Sequence, residues 1–209
     1  MVFTHIVKEL RRHAPFTVTG TASGMLIMGV LVSCDVPSSL SQALFWAFHP
    51  LHVMLSALVT AAMFRLHGGR GVWKTLFVGY VGSVGIATLS DCIIPYVGEW
   101  LLGWPDRALH LGFIEKWWLV NPLALAGIGI ACRWPHTKLS HAGHVLLSTW
   151  ASLFHMSMAF NQTSELSTFV FMAVFLFLAV WLPCCTSDIV FPMILSHNTL
   201  DREQLPPAK

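Results

Sequence analysis

The chain has 209 residues, of which 55% are hydrophobic and only 11% are charged. A soluble domain carries about 25% charged residues, so this composition excludes an ordinary water-soluble surface. The net charge is only +2, and no basic cluster of the kind that binds nucleic acid is present. The expected partner of most of the surface is therefore a lipid bilayer.

Residues 1–13 place apolar side chains on one helical face and basic side chains on the others, which predicts an amphipathic helix in the headgroup region. Six apolar segments follow, each near the length of a membrane span. They lie at 15–34, 42–64, 73–95, 118–132, 142–160 and 168–195. Residues 198–209 are expected to form a cytoplasmic tail. The sequence thus predicts one all-α, multi-pass membrane domain over residues 1–209.

The basic residues predict the orientation of this domain, because short cytoplasmic loops are enriched in Lys and Arg. With the N-terminus inside, the inner side holds Lys8, Arg11, Arg12, Arg65, Arg70, Lys74, Arg133, Lys138, Arg202 and Lys209. The outer side holds only Arg107 and Lys116. We therefore expect six transmembrane helices with both termini in the cytoplasm. The membrane would be the plasma membrane, which is the inner membrane in a bacterial cell.

Two polar patterns occur twice, in the same order. The pattern H-x-x-H-V-x-L-S occurs at 49–56 and again at 141–148. The pattern S-D-x-x-x-P occurs at 90–95 and again at 187–192. This self-similarity predicts an internal duplication.

The duplication would divide the chain into repeat one, at about 14–102, and repeat two, at about 109–197. Each repeat holds three predicted spans. Because three is an odd number, the second repeat must enter the membrane in the opposite orientation to the first. Inverted repeats of this kind build many transporters, whose binding sites lie where the halves meet.

The repeated polar residues predict ion binding. An Asp inside a span costs about 2.5–3.5 kcal/mol on insertion scales and is a candidate functional residue by default. Two histidines one turn apart, together with a carboxylate, form a minimal site for a divalent metal. We expect an outer site made of His49, His52 and Asp91 and an inner site made of His141, His144 and Asp188. The spacing leaves open whether the two sites merge.

The prolines of the S-D-x-x-x-P pattern add a backbone feature. Proline has no N–H, so in an α-helix Pro95 leaves the carbonyl of Asp91 without its usual donor, and Pro192 does the same for Asp188. Further candidate site residues lie near the two predicted sites. They are Ser56, Ser90, Ser148, His155, Cys184, Cys185 and Ser187.

The leading functional prediction is a small secondary transporter or channel for a divalent transition metal, with Zn²⁺, Mn²⁺ and Fe²⁺ as the candidate ions. The first alternative is an intramembrane metal-dependent enzyme, an oxidoreductase or a hydrolase, that acts on a lipid-like substrate. A haem protein with axial histidines and a purely structural polar network are further alternatives. No motif assigns catalytic residues, and a homodimer is compatible with the small size of the bundle.

Overall fold

The computed structural model describes residues 2–135, 138–160, 165–192 and 195. Side chains are described for residues 11, 14–135, 142–160, 165–187, 190–192 and 195. All regular secondary structure in these segments is helical. The predicted tail at 198–209 and nearly all side chains of the predicted amphipathic segment at 1–13 lie outside the described residues.

Seven helices follow one another in the described part of the chain. They are α1 (Val2–Ser33), α2 (Ser38–Leu66), α3 (Val72–Leu101), α4 (Gly112–Glu115), α5 (Trp117–Arg133), α6 (Lys138–Met158) and α7 (Leu166–Cys185). Helix α7 continues into a π-helical turn, Thr186–Val190. Helix α1 runs without a break through Pro15, where the sequence analysis divided an interfacial helix from the first span. Membrane helices tolerate an internal proline. The change from an amphipathic to an apolar composition near Pro15 is therefore not accompanied by a break in the helix.

Four stretches of helix are long and apolar enough to cross a bilayer. They are Ala14–Ser33, Ser38–Leu66, Val72–Leu101 and Leu166–Cys185. Helix α5 has 17 residues and therefore spans about 25 Å, less than the hydrocarbon core of about 30 Å. Helix α6 has 21 residues, but polar side chains of the repeated pattern interrupt its apolar sequence. By length and composition, four of the six predicted spans are supported.

Many large apolar side chains are exposed on the outside of the bundle, and many polar side chains are buried inside it beside the apolar core. On α7, every fourth residue from Leu166 to Leu182 is apolar and between 42% and 78% exposed. Buried polar side chains include His49, His52, Thr60, Ser83, Ser90, Asp91, Glu99, His144, Ser148, Ser152 and His155. In a soluble protein, polar side chains such as Ser, Thr, Asp and Glu are mostly exposed. The helices are thus compatible with a membrane protein, whose polar groups must find partners inside the bundle.

Helices α2 and α6 pack against each other at the centre. On one side of them, an apolar cluster joins α2, α3 and α5 through residues such as Ala57, Ala87 and Ala124. On the other side, a second cluster joins α1, α6 and α7 through residues such as Met28 and Leu176. The first helix of each predicted repeat, α1 or α5, therefore packs against the other repeat.

Two glycines allow α1 and α5 to lie close to helices of the other predicted repeat. An added Cβ at Gly127 of α5 would lie 3.1 Å from the Cβ of Ala57 and would overlap the carbonyl oxygen of Met54 on α2. An added Cβ at Gly20 of α1 would lie 2.8 Å from Oγ1 of Thr149 on α6. Each glycine lets a helix of one predicted repeat lie directly on the central helix of the other.

Gly127→Ala is expected to lower the thermal unfolding midpoint of the detergent-purified protein, because the new methyl group must displace the α2 backbone. Overpacking of this kind costs about 1–3 kcal/mol. Gly129→Ala is the control on the same helix, because no atom lies within 4 Å of an added Cβ there. Alanine is also the better helix former, by up to about 1 kcal/mol, so this control should be neutral or stabilising. Equal midpoints for the two variants would contradict the close contact of α2 and α5.

Candidate metal centre

Helix α3 contains two π-helical turns, and the second, Leu89–Ile93, carries Ser90 and Asp91. Bonds in a π turn run from residue i to residue i+5. Pro95 therefore removes the backbone donor of the Ser90 carbonyl. In a regular α-helix, as the sequence predicts, Pro95 would remove the donor of the Asp91 carbonyl instead. The hydroxyl of Ser152 on α6 lies 3.0 Å from the Ser90 carbonyl and 2.8 Å from the carbonyl of Ser148, one turn back on α6, so its single proton is shared between the two oxygens. This contact ties the widened turn to α6 and partly replaces the donor that proline lacks.

The carboxylate of Asp91 is the centre of a buried hydrogen-bond network. Its Oδ2 accepts from Nδ1 of His49 at 2.9 Å and from Nδ1 of His52 at 2.6 Å. Its Oδ1 accepts from the hydroxyls of Ser90 at 2.7 Å and Ser148 at 3.0 Å. None of the five residues is more than 2% exposed. The structure thus brings together the three residues predicted for the outer site and adds both serines.

These bonds orient the two imidazole rings. A carboxylate only accepts hydrogen bonds, so beside an ionised Asp91 each Nδ1 carries the proton and each Nε2 keeps its lone pair. Metal-binding histidines commonly donate one ring N–H to a carboxylate in this way while the other nitrogen binds the ion. The sequence predicts Asp91 to be a ligand, but its carboxylate instead bonds the histidines in the position from which it would orient them.

Three buried side chains, His52, His144 and Cys184, form a group that could hold a metal ion. One ligand atom from each lies within 4.8 Å of the other two. The rings of His52 and His144 are nearly parallel, at 10°, with centroids 5.6 Å apart. Sγ of Cys184 lies 3.6 Å from Oγ of Ser148. Two histidines that were predicted for separate sites therefore meet where α2 packs on α6.

The spacing of these ligand atoms suits a tetrahedral ion after small side-chain rotations. Bonds from Zn²⁺ are about 2.0–2.1 Å to nitrogen and about 2.3 Å to sulfur, which places the ligand atoms roughly 3.3–3.6 Å apart. The observed separations are all within 4.8 Å, so at most a modest contraction is needed to close the group around an ion. Two nitrogens and one sulfur would leave a fourth coordination position for water or another ligand.

The remaining residues of the predicted inner site are only partly described. The side chains of His141 and Asp188 lie outside the described residues. The backbone of Asp188 lies in the π turn Thr186–Val190. Cys185 is buried, at 3% exposure, but it does not belong to the group of converging ligand atoms.

Ser187 anchors a second set of contacts between the predicted repeats. Its hydroxyl donates to the carbonyl of Gly82, in the first π turn of α3, at 2.9 Å. The same hydroxyl lies 3.1 Å from Oγ1 of Thr60 and 3.3 Å from Oγ of Ser56. Ser187 and Ser56 were candidate site residues, and here they join α2 to the turn that follows α7.

His155 and Glu99 form a second buried acid–base pair, of which the sequence predicts only His155 as a site residue. Nδ1 of His155 lies 2.8 Å from Oε1 of Glu99, and both side chains are 1% exposed. The ring of Phe45 separates this pair from the Asp91 network, with centroids 5.3 Å from those of both His155 and His49. His155 was a candidate for the outer site, whereas Glu99 was not. The position of Glu99 about two helical turns after Asp91 was the signal that could have identified it.

The chain matches none of the protein-family models, curated proteins or solved structures with which it was compared. Its function is therefore argued from the chemistry of the buried groups.

Asp91→Ala removes the acceptor of four buried hydrogen bonds and is expected to destabilise the protein by about 1–3 kcal/mol for each buried donor left without a partner. Asp91→Asn keeps the size and one acceptor oxygen, so its loss should be smaller. The measurement is the unfolding midpoint in detergent. Asp106→Ala, at an exposed carboxylate, is the control and should not change the midpoint. An Asp91→Ala protein as stable as this control would contradict the network.

Proposed function

We propose that the chain is a small membrane transporter for a divalent transition metal, and that His52, His144 and Cys184 bind the ion inside the bilayer. The observation that carries this proposal is the convergence of the three side chains, each at most 2% exposed, in a bundle with an apolar exterior. Polar groups are costly at such a position, and in membrane proteins they mark ion and substrate pathways.

The ligand set favours Zn²⁺ among the three candidate ions. Imidazole nitrogen suits zinc, iron and copper, and thiolate sulfur favours zinc over harder ions. Mn²⁺ prefers oxygen ligands, which the group of His52, His144 and Cys184 does not offer. Fe²⁺ is the second choice.

The location of the ligands suits alternating access. His52 belongs to the first predicted repeat, whereas His144 and Cys184 belong to the second. A rocking motion between the repeats would then separate ligands and open the site toward one side of the membrane. Protonation of the imidazoles would assist release, because a histidine must be neutral to bind a metal.

We also propose that the bundle consists of two inverted repeats with six spans and both termini in the cytoplasm. Both S-D-x-x-x-P patterns begin in π turns, Leu89–Ile93 and Thr186–Val190. The inter-helix glycines stand in equivalent positions, since Gly20 and Gly127 each follow a proline by five residues. The short helix α5 would then cross with local thinning of the bilayer.

Reciprocal serine contacts support the same symmetry. Ser56 of the first H-x-x-H-V-x-L-S pattern contacts Ser187 of the second S-D-x-x-x-P pattern at 3.3 Å. Ser148 of the second H-x-x-H-V-x-L-S pattern contacts Ser90 of the first S-D-x-x-x-P pattern at 3.4 Å. An exchange of equivalent partners is what a two-fold relation between repeats produces. The proposed metal group lies within one chain, so the proposal needs no second copy.

A metal-dependent enzyme is the second candidate. Three protein ligands with one open position are typical of catalytic zinc sites, and a lipid-like substrate would reach the site from the bilayer. Such a protein would bind the metal without moving it across the membrane.

Cobalt binding tests the ligand assignment. Purified protein loaded with Co²⁺ should show thiolate-to-cobalt charge-transfer absorption, because Cys184 supplies sulfur to the ion. Cys184→Ser should abolish this absorption, and the matched control Cys185→Ser should keep it. Identical spectra for the two variants would contradict ligation by Cys184. A Soret band in protein purified without added metal would instead favour the haem alternative.

Zinc uptake by reconstituted vesicles tests transport. Vesicles with an internal zinc-sensitive dye should accumulate Zn²⁺ when they contain the wild-type protein, and Mn²⁺ should compete weakly. His144→Gln and Cys184→Ser should each lower the initial rate at least about tenfold, the lower end of what even outer-shell changes cost at metal sites. Cys185→Ser should leave the rate unchanged. Stoichiometric metal binding without uptake would contradict transport and favour the enzyme.

A further inference from the structure

In the pair formed by Glu99 and His155, only one polar atom of each side chain is hydrogen-bonded among the described residues. One carboxylate oxygen and one ring nitrogen meet at 2.8 Å. The other polar atom of each side chain, Oε2 of Glu99 and Nε2 of His155, is buried and has no hydrogen-bond partner among the described residues. A purely structural pair would normally satisfy such atoms. Two spare buried atoms, one on each side of the bond, are instead suited to receiving and passing on a proton.

The charge of the pair changes by one unit with one proton. An ionised Glu99 beside a neutral His155 leaves a net negative charge in the apolar interior, which is costly. One added proton makes the pair neutral overall, whether it resides on the ring or on the carboxyl. The two states therefore differ in how well the surrounding apolar bundle accommodates them.

A more exposed pair lies next to Glu99 and His155. The ring centroid of His110 lies 5.7 Å from that of His155. Nδ1 of His110 lies 3.1 Å from Oε2 of Glu115, and these side chains are 20% and 40% exposed. The series Glu115, His110, His155, Glu99 thus runs from the protein surface to a fully buried carboxyl group.

Few other titratable groups face the pair. Helix α2 contributes His49, which lies beyond Phe45. Helix α3 contributes Asp91 and Cys92, about two turns before Glu99, and Tyr96, about one turn before it. The segment before α5 contributes Lys116, whose ammonium lies 5.7 Å from the ring of Trp46, and Arg107, which donates to the carbonyl of Trp104. Residues 14–33 and 166–183 contain no ionisable side chain. The buried pair is therefore the principal acid–base group in its part of the bundle.

We propose that Glu99 and His155 form a proton-binding site, distinct from the metal group, that exchanges protons with water through His110 and Glu115. A proton that arrives at Nε2 of His155 from His110 is matched by the departure of the Nδ1 proton to Oε1 of Glu99. The ring stays neutral overall but now carries its proton on Nε2 instead of Nδ1, and the carboxylate becomes a carboxylic acid. Release follows the reverse path. The purpose of the site rests on the transporter proposed above. There it would supply the proton that is exchanged for the metal ion.

Infrared difference spectroscopy of the full-length protein tests the site without requiring transport. Acidification should produce a carboxylic acid C=O band at a higher frequency than that of solvated carboxyls, because Oε2 of Glu99 has no donor. Glu99→Gln should remove this band. Glu165→Gln, at an exposed glutamate, should retain it. A band that persists unchanged in Glu99→Gln would overturn the proposal.

Two further variants keep the proposal testable if Glu99→Gln does not fold. His110→Phe leaves the buried pair in place and should slow the appearance of the band after a pH jump. His155→Gln should shift the midpoint of the band, because it removes the proton donor to Glu99. Unchanged kinetics and midpoint in these variants would overturn the relay.

Zinc binding by the same samples separates this inference from the proposed function. Wild type and Glu99→Gln should bind zinc equally, because the pair and the metal group use different residues. If neither protein binds zinc while the band behaves as expected, the metal proposal fails and the proton site stands. If both bind zinc while the band is unaffected by Glu99→Gln, the proton site fails and the metal proposal stands.

Discussion

The carboxylate of Asp91 imposes the main constraint on the centre of this bundle. An ionised group cannot remain in an apolar interior unless its oxygens accept hydrogen bonds. Four donors meet this demand, two imidazoles from α2, the neighbouring serine of α3 and Ser148 from α6. Because these donors come from three helices, the requirement of one side chain determines how α2, α3 and α6 can pack. It also determines which nitrogen of His52 remains for a ligand.

Apolar contacts around Asp91 are compatible with several helix arrangements, whereas hydrogen bonds between particular polar side chains select one of them. In a bilayer, lipid tails would be as apolar as the exposed side chains of this bundle, so burial alone would not choose among helix arrangements. Alanines and glycines let the helices approach closely, and the hydroxyls of Ser56, Ser148, Ser152 and Ser187 then join particular positions. The result is a row of buried polar contacts along α2 and α6. The candidate metal ligands His52, His144 and Cys184 and the Glu99–His155 pair are separate polar groups within it.

Much of this row of contacts could be predicted from periodicity and repetition. The pattern at 49–52 places two histidines on one helical face, and the cost of Asp91 in a span predicts that it finds such partners. The sequence could not show that the Asp91 turn is π-helical, a change by which the carbonyl of Ser90 loses its backbone donor to Pro95. Nor could it show that His52 and His144 meet, because contacts between helices distant in sequence depend on how the whole bundle packs.

Cys184 illustrates the same limit, since only the packed position of α7 brings its sulfur beside two imidazoles.

X-ray absorption at the zinc edge of purified, zinc-loaded protein is the most direct test of these ligands, because it reports the atoms bound to the ion and their distances. Two nitrogen scatterers at about 2.0–2.1 Å and one sulfur at about 2.3 Å are expected, with the sulfur absent in Cys184→Ser. A first shell of oxygen and nitrogen alone in the wild-type protein would contradict a metal centre built from His52, His144 and Cys184.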